Sequence, residues 1–158
     1  MGYGLHAQTN RVTFDIISGA NGITLGKVNS VTQDKYGFMW FSDQTNQCIV
    51  RYDGSTMKRY VYDFAKQDTP YGMGGYYPEW LTTDRDGFIW IAYYGQGLDR
   101  FDPRSGTFVH YKNNPDDSTS LISNTATCIV VDHLGYVWIG THSGLDRLDP
   151  KTGHFTHT

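Results

Sequence analysis

Tyrosines and amide side chains crowd into a few short stretches of this chain. Tyr71, Tyr76 and Tyr77 share a segment with Gly72, Gly74 and Gly75, Tyr93 and Tyr94 stand just before Gln96, and Thr141 precedes His142. A tyrosine offers an apolar ring face together with a hydroxyl that both donates and accepts hydrogen bonds. Such groups suit a neutral, polyhydroxylated ligand: the rings stack on the C–H faces of a sugar while amides and hydroxyls such as Gln96 and Thr141 orient its hydroxyl groups. Gln44 and Asn46 belong to the same class. Solvated loops and loops packed against a neighbouring element share this composition, so the structural reading stands beside the binding one.

Motifs for bond-making chemistry are missing. There is no Gly-x-Ser-x-Gly elbow, phosphate-cradling loop or His-Glu-x-x-His helix in the sequence. Asp84-Arg85-Asp86-Gly87 opens like a calcium loop, but its counterparts Asp34-Lys35-Tyr36-Gly37 and Asp132-His133-Leu134-Gly135 lack the second carboxylate. No Glu closes the loop at the required distance either, so a hairpin turn is predicted there. His154 and His157 fall three apart on a predicted strand, where alternation sends them to opposite faces. Cys48 and Cys128 have neither disulfide-framework nor metal-ligand spacing. The expectation is therefore no catalytic residue, no metal and no cofactor.

The elements that position these residues are set by an internal repeat. Residues 28–40, 79–90 and 127–138 align, placing Trp40, Trp90 and Trp138 at intervals of 50 and 48 residues. Each unit runs on to a basic-apolar-acidic triplet: Arg51-Tyr52-Asp53, Arg100-Phe101-Asp102 and Arg147-Leu148-Asp149. Within a unit, a β-branched strand ends at an Asp-x-x-Gly turn, an aromatic strand follows, then a third strand through the triplet and a fourth after a second turn. Four short meandering strands in a repeat of this length are the signature of a β-propeller blade. The fold class predicted is all-β, in three four-stranded antiparallel blades. The recurring tryptophans are expected in the inter-blade core, whereas Trp80 does not recur and has the better claim to a special role, with packing still the expectation.

The boundaries read as 1–27 for a leader plus an outer strand at 11–17, 28–62 for blade 1, 63–77 for the Gly/Tyr-rich loop, 78–112 for blade 2, 113–125 for a loop and 126–158 for blade 3. Loops joining the fourth strand to the next blade, and the second strand to the third, share one end of a propeller. That end collects the candidate residues. Three blades are fewer than the four to eight of known rings, which predicts an incomplete propeller or one completed by oligomerisation, by further blades or by another copy.

Composition narrows the class. Thirteen Lys and Arg against sixteen Asp and Glu leave a net charge of −3, without the positive field that non-specific nucleic-acid binding needs. Aromatics at 15% and charged residues at 18% suit sheet surfaces and exclude a long disordered regulator. No apolar run reaches the roughly 20 residues that span a bilayer, so no membrane contact is expected from this segment. Gly4-Leu5-His6-Ala7-Gln8 is compatible with the tail of a secretory signal or with an ordinary leader.

Residues 33–40 and, above all, 132–149 resemble the two-component regulator propeller repeat, and the likeness extends over residues 28–158 in three copies. That repeat is typical of the periplasmic sensor region of hybrid two-component sensor kinases in Bacteroidetes. Ala92-Tyr93-Tyr94-Gly95 and Ser42-Asp43-Gln44-Thr45 depart from the Gly-Thr that the family favours, in a loop that bears on ligand choice. The resemblance implies a non-catalytic sensing segment, periplasmic, in a parent that carries more blades, a membrane span and cytoplasmic kinase modules, with an oligosaccharide as ligand. Two alternatives stay open: a streptogramin-lyase-like propeller enzyme, in which His142 would be the base, and a structural module that only joins copies of the chain.

Overall fold

The computed structural model describes residues 20–158; the leader and the strand expected at residues 11–17 lie outside the described residues. Twelve strands form three four-stranded antiparallel sheets, each a meander in chain order. The first holds β1 (Val28–Gln33), β2 (Met39–Asp43), β3 (Cys48–Tyr52) and β4 (Met57–Val61). The second holds β5 (Pro78–Thr83), β6 (Ile89–Tyr93), β7 (Gly97–Asp102) and β8 (Thr107–Tyr111). The third holds β9 (Ala126–Val131), β10 (Val137–Thr141), β11 (Gly144–Asp149) and β12 (His154–His157).

The repeated residues build the same local device in every sheet. Gly37, Gly87 and Gly135 take φ of 89°, 91° and 91°, the left-handed conformation that closes the first hairpin. The turn aspartate is then anchored on both sides: one oxygen of Asp34, Asp84 or Asp132 accepts backbone N–H groups of the turn. The other accepts the indole N–H of Trp40, Trp90 or Trp138, at 2.8 Å each time. The basic residue of each triplet lies over the aromatic that follows the turn glycine: Arg51 over Phe38 at 4.6 Å, Arg100 over Phe88 at 4.8 Å and Arg147 over Tyr136 at 4.7 Å. A cation over a ring face is attractive, so the triplet's first position is explained by the aromatic strand one turn earlier.

Sheets stack as blades. Trp40 and Ile49 of the first sheet pack against Leu81, Ile91, Phe101 and Phe108 of the second. Trp90, Ala92 and Leu98 of the second pack against Ile129, Ile139, Leu148 and Phe155 of the third. Trp40 and Trp90 are fully buried between blades, as expected of recurring tryptophans, while Trp138 is half-buried. The first strands lie side by side, β1 against β5 and β5 against β9, so each blade turns its first strand to the same inner side. Ser30 stitches two of them: its hydroxyl accepts the Leu81 N–H at 3.0 Å. Trp80, on the inner strand β5, corrects the expectation of packing, because 43% of it is exposed. Among the described residues, no helix is long and apolar enough to cross a membrane.

Candidate functional site

The loops between blades and the second-to-third strand turns meet at one end, and they divide the candidate residues into two groups. Tyr76, Tyr77 and Tyr94 are 36%, 41% and 54% exposed. The rings of Tyr76 and Tyr77 lie 4.7 Å apart, and Tyr62 meets Tyr76 edge-on at 5.6 Å. The Gln96 carbonyl accepts the Tyr76 N–H at 3.0 Å, and the Tyr77 carbonyl accepts the Tyr94 N–H at 3.2 Å, tying the loop to the β6–β7 turn. Tyr94 reaches the next blade, with His142 edge-on at 5.9 Å. Tyr76, Tyr77, Tyr94, His142 and Gln96 form an aromatic strip that crosses from blade 2 to blade 3. On the first blade, Gln44 joins this end by donating to Glu79, which also accepts from Asn29 at 2.7 Å.

The remaining candidates sit elsewhere or are already occupied. Tyr93 is fully buried in the core between blades 1 and 2, and its hydroxyl donates to Asp99 at 2.8 Å. It is a core residue and not part of the surface, which corrects its selection with Tyr94. Position along the chain decides this: Tyr93 is the last residue of β6, which is buried on both faces, whereas Tyr94 stands beyond the strand in the β6–β7 turn. Tyr71 is exposed but stands apart: its neighbour Pro70 is bonded to β8 through the Phe108 N–H. The Thr141 hydroxyl is spent in its own turn, donating to Gly144 O and accepting the Ser143 N–H. Asn46 is likewise engaged with Asp43 at 2.7 Å.

Gly72, Gly74 and Gly75 are buried. A β-carbon at Gly74 would lie 2.7 Å from Asp99 Oδ1 and 2.8 Å from His110 Nδ1, and one at Gly75 would lie 2.6 Å from the Tyr93 ring. Glycine is required there for close approach. What it approaches was missed at the level of sequence: Asp99 and His110 bonded at 2.7 Å, with the equivalent pair Asp146 and His157 at 2.7 Å in blade 3. The legible signal was the recurring interval, eleven residues from Asp to His in both units. Their partners on both sides raise the pKa of His110 and His157, in each case chiefly through the carboxylate hydrogen bond. His157 is thereby occupied, and His154 lies on the opposite face of β12 as alternation requires. Burial pushes the Cys48 thiol up to about 11, so it is not a nucleophile at neutral pH.

At the opposite end, a cleft of about 440 Å³ opens between blades 2 and 3, with Arg100, Phe88, Leu134 and Tyr136 among its walls. Between blades 1 and 2 the matching gap is bridged by Lys35, whose Nζ donates to the Asp86 carbonyl at 2.7 Å. Arg85, its counterpart, makes no such bridge among the described residues. The cleft is thus a place where one inter-blade tie differs, and its mixed charges select no ligand class.

Residues 120–143 match the family described as two component regulator propeller. That stretch, from the incoming loop to the β10–β11 turn, is similar to a two component regulator propeller repeat. The matched stretch takes in Leu121 of the incoming loop, buried in the inter-blade core, and the Asp132-to-Trp138 device. With the regulator repeat as frame, a solved relative is informative: the extracellular domain assigned to a hybrid two component system of B. thetaiotaomicron, 31% identical, with a TM-score of 0.75. That similarity covers 86% of this chain but 19% of the other, so the present chain spans a small part of that relative's length. Two further structures share the fold alone. Virginiamycin B lyase from Staphylococcus aureus is 18% identical over 84% of this chain and 41% of its own, with a TM-score of 0.62. PorZ, a surface component of the type-IX secretion system of Porphyromonas gingivalis, is 20% identical over 81% of this chain and 18% of its own, with a TM-score of 0.58. No curated protein matches the chain.

Proposed function

We propose that this chain is a non-catalytic, ligand-binding segment of the periplasmic sensor propeller of a hybrid two-component histidine kinase. The observation that carries this reading is the 31% identity, over 86% of the chain, to the extracellular domain assigned to such a system. The ligand is a neutral oligosaccharide, held along the strip formed by Tyr76, Tyr77, Tyr94 and His142. Exposure of the three tyrosines supports this assignment, because part of each side chain can meet the apolar side of a sugar. The carbonyl of Gln96 is engaged with the loop backbone, but its amide N–H groups can donate to a sugar hydroxyl. Tyr71 is placed outside this strip.

Binding to neutral groups by stacking and hydrogen bonding depends little on ionic strength. Calorimetry against a library of neutral glycans tests the site. A binding glycan should keep its affinity between low and moderate salt and lose it in the Tyr76→Ala, Tyr77→Ala double variant. Retained affinity with unaltered enthalpy in that variant would place the sugar elsewhere.

A further inference from the structure

Asp99 faces His110 directly across β7 and β8, and Asp146 faces His157 across β11 and β12. In both pairs Nδ1 lies 2.7 Å from a carboxylate oxygen. Nε2 lies 2.9 Å from a backbone carbonyl, that of Thr69 or Ser118, on the loop arriving from the preceding blade. A carbonyl oxygen only accepts, and so does a carboxylate, so satisfying both contacts requires a hydrogen on each ring nitrogen. Writing the carboxyl as the acid and the ring as neutral changes nothing in the count. Each pair holds one proton more than a neutral imidazole beside a carboxylate.

The same carboxylates hold a second point of the same loops. Asp99 Oδ2 accepts the Gly74 N–H and Asp146 Oδ2 accepts the Ile122 N–H, both at 2.8 Å. Blade 1 shows the arrangement with a permanent charge. There Arg59 pairs with Val50 at the register position that His110 and Asp99 occupy in blade 2, and its guanidinium donates to the Thr24 carbonyl of the preceding segment at 2.6 Å. All three blades therefore grip the incoming chain with a cation on the fourth strand, and in two of them the cation can lose its proton.

We propose that Asp99–His110 and Asp146–His157 are proton-operated latches, which hold residues 68–75 and 117–123 against blades 2 and 3 and loosen them when the shared proton leaves.

The surroundings favour the closed, protonated form. Facing His110 are Asp99 on β7, Lys112 just beyond β8, which opposes the charge while paired with Asp68 at 3.1 Å, and the stacked ring of Phe108. Tyr93 on β6 acts through Asp99. For His157 the facing charge is that of Asp146; His154 lies across the strand and acts on Asp117. Both imidazoles are raised above their ordinary value of 6.5. A group that binds its proton more tightly when folded stabilises the fold fully below its unfolded value and loses that contribution as pH climbs through the raised one. The latches are closed below the ordinary histidine value and open as pH climbs through the raised one. Because residues 68–75 lead straight into Tyr76 and Tyr77, the first latch also sets the order of the ligand strip, on the reading proposed above.

The test needs no ligand. The full chain, labelled with ¹⁵N at histidine, is titrated between about pH 6 and 9 by NMR while amide exchange is followed as protection factors. The expected result is that both rings stay doubly protonated beyond the pH at which the urea-unfolded chain has lost the proton. Protection at Gly74 and Ile122 then falls about tenfold or more as the rings deprotonate, with the β6 and β10 amides unchanged. A neutral ring at the acid end, or protection that ignores the titration, overturns the proposal. His110→Gln, which cannot aim two donors in opposite directions, should lower protection at Gly74 at every pH and leave Ile122 as it was; unchanged protection at Gly74 counts against the latch. If that variant fails to fold, the wild-type titration decides alone. Failure of every glycan to bind would refute the sugar site and leave this outcome untouched.

Discussion

Asp34, Asp84 and Asp132 each close a turn with one oxygen and anchor an indole with the other. The most sheltered of the three is Asp34, which is buried. Removing it leaves the Trp40 N–H and two turn amides without their acceptor, and hydrogen bonds to a charged group are worth about 1.5–3 kcal/mol. Asp34→Ala is expected to lower the unfolding free energy by about 2–3 kcal/mol in urea melts, with secondary structure retained. Tyr93 invites a second test. Tyr93→Phe removes a buried donor from Asp99 and should cost about 1–2 kcal/mol. Since that side chain is enclosed, the same variant should bind any glycan ligand as the parent does, in contrast to Tyr76→Ala. A loss of binding without loss of stability in Tyr93→Phe would return it to the site.

At the scale of elements, each inter-blade loop is better described as part of the blade that follows than as a free connection. Met73 and Leu121 are buried in the inter-blade cores, the Phe108 N–H donates to Pro70 O and the Phe155 N–H to Thr119 O. The Gly/Tyr-rich loop therefore has an ordered root and an exposed tip. Gly74 is the residue on which that root depends, because a β-carbon there meets the Asp99 carboxylate and the His110 ring together. Gly74→Ala is expected to destabilise by about 1–3 kcal/mol through overpacking. It should also raise backbone exchange over residues 68–75 more than in the β-strands. Equal exchange throughout would mean the loop absorbs the methyl group and is looser than its contacts indicate.

At the scale of the molecule, two blade faces of the same kind are covered and a third is open. Ile49 and Leu98 are fully buried by the next blade, whereas Leu145, at the same place in blade 3, is 39% exposed beside the half-buried Trp138. Exposed apolar surface of this sort seeks a partner. Sedimentation velocity on the 158-residue chain is expected to show a dimer or larger species at micromolar concentration, and Leu145→Glu to shift it toward monomer. A monomer at every concentration would show that this face tolerates water. The far-ultraviolet circular dichroism of either species should be that of strands and turns.

Residue order alone determined the blades, because each signal is local: β-branched runs mark strands, Asp-x-x-Gly closes a hairpin within four residues, and tryptophans recurring in phase mark the packed side. The recurrent triplet was visible as a pattern too, though its meaning was not, since Arg100 finds Phe88 only after two strands have paired. What tertiary structure alone decided was which loop residues face water. Tyr93 and Tyr94 are adjacent and chemically alike, yet one completes the Asp99 network in the core and the other meets His142 of the next blade. Gly74 is a point of close contact that its residue type does not announce, and Asp99 and His110 are set opposite each other only by strand pairing. Those outcomes depend on strand pairing within a blade and on how one blade sits against the next, and short-range propensity carries no information about either kind of partner.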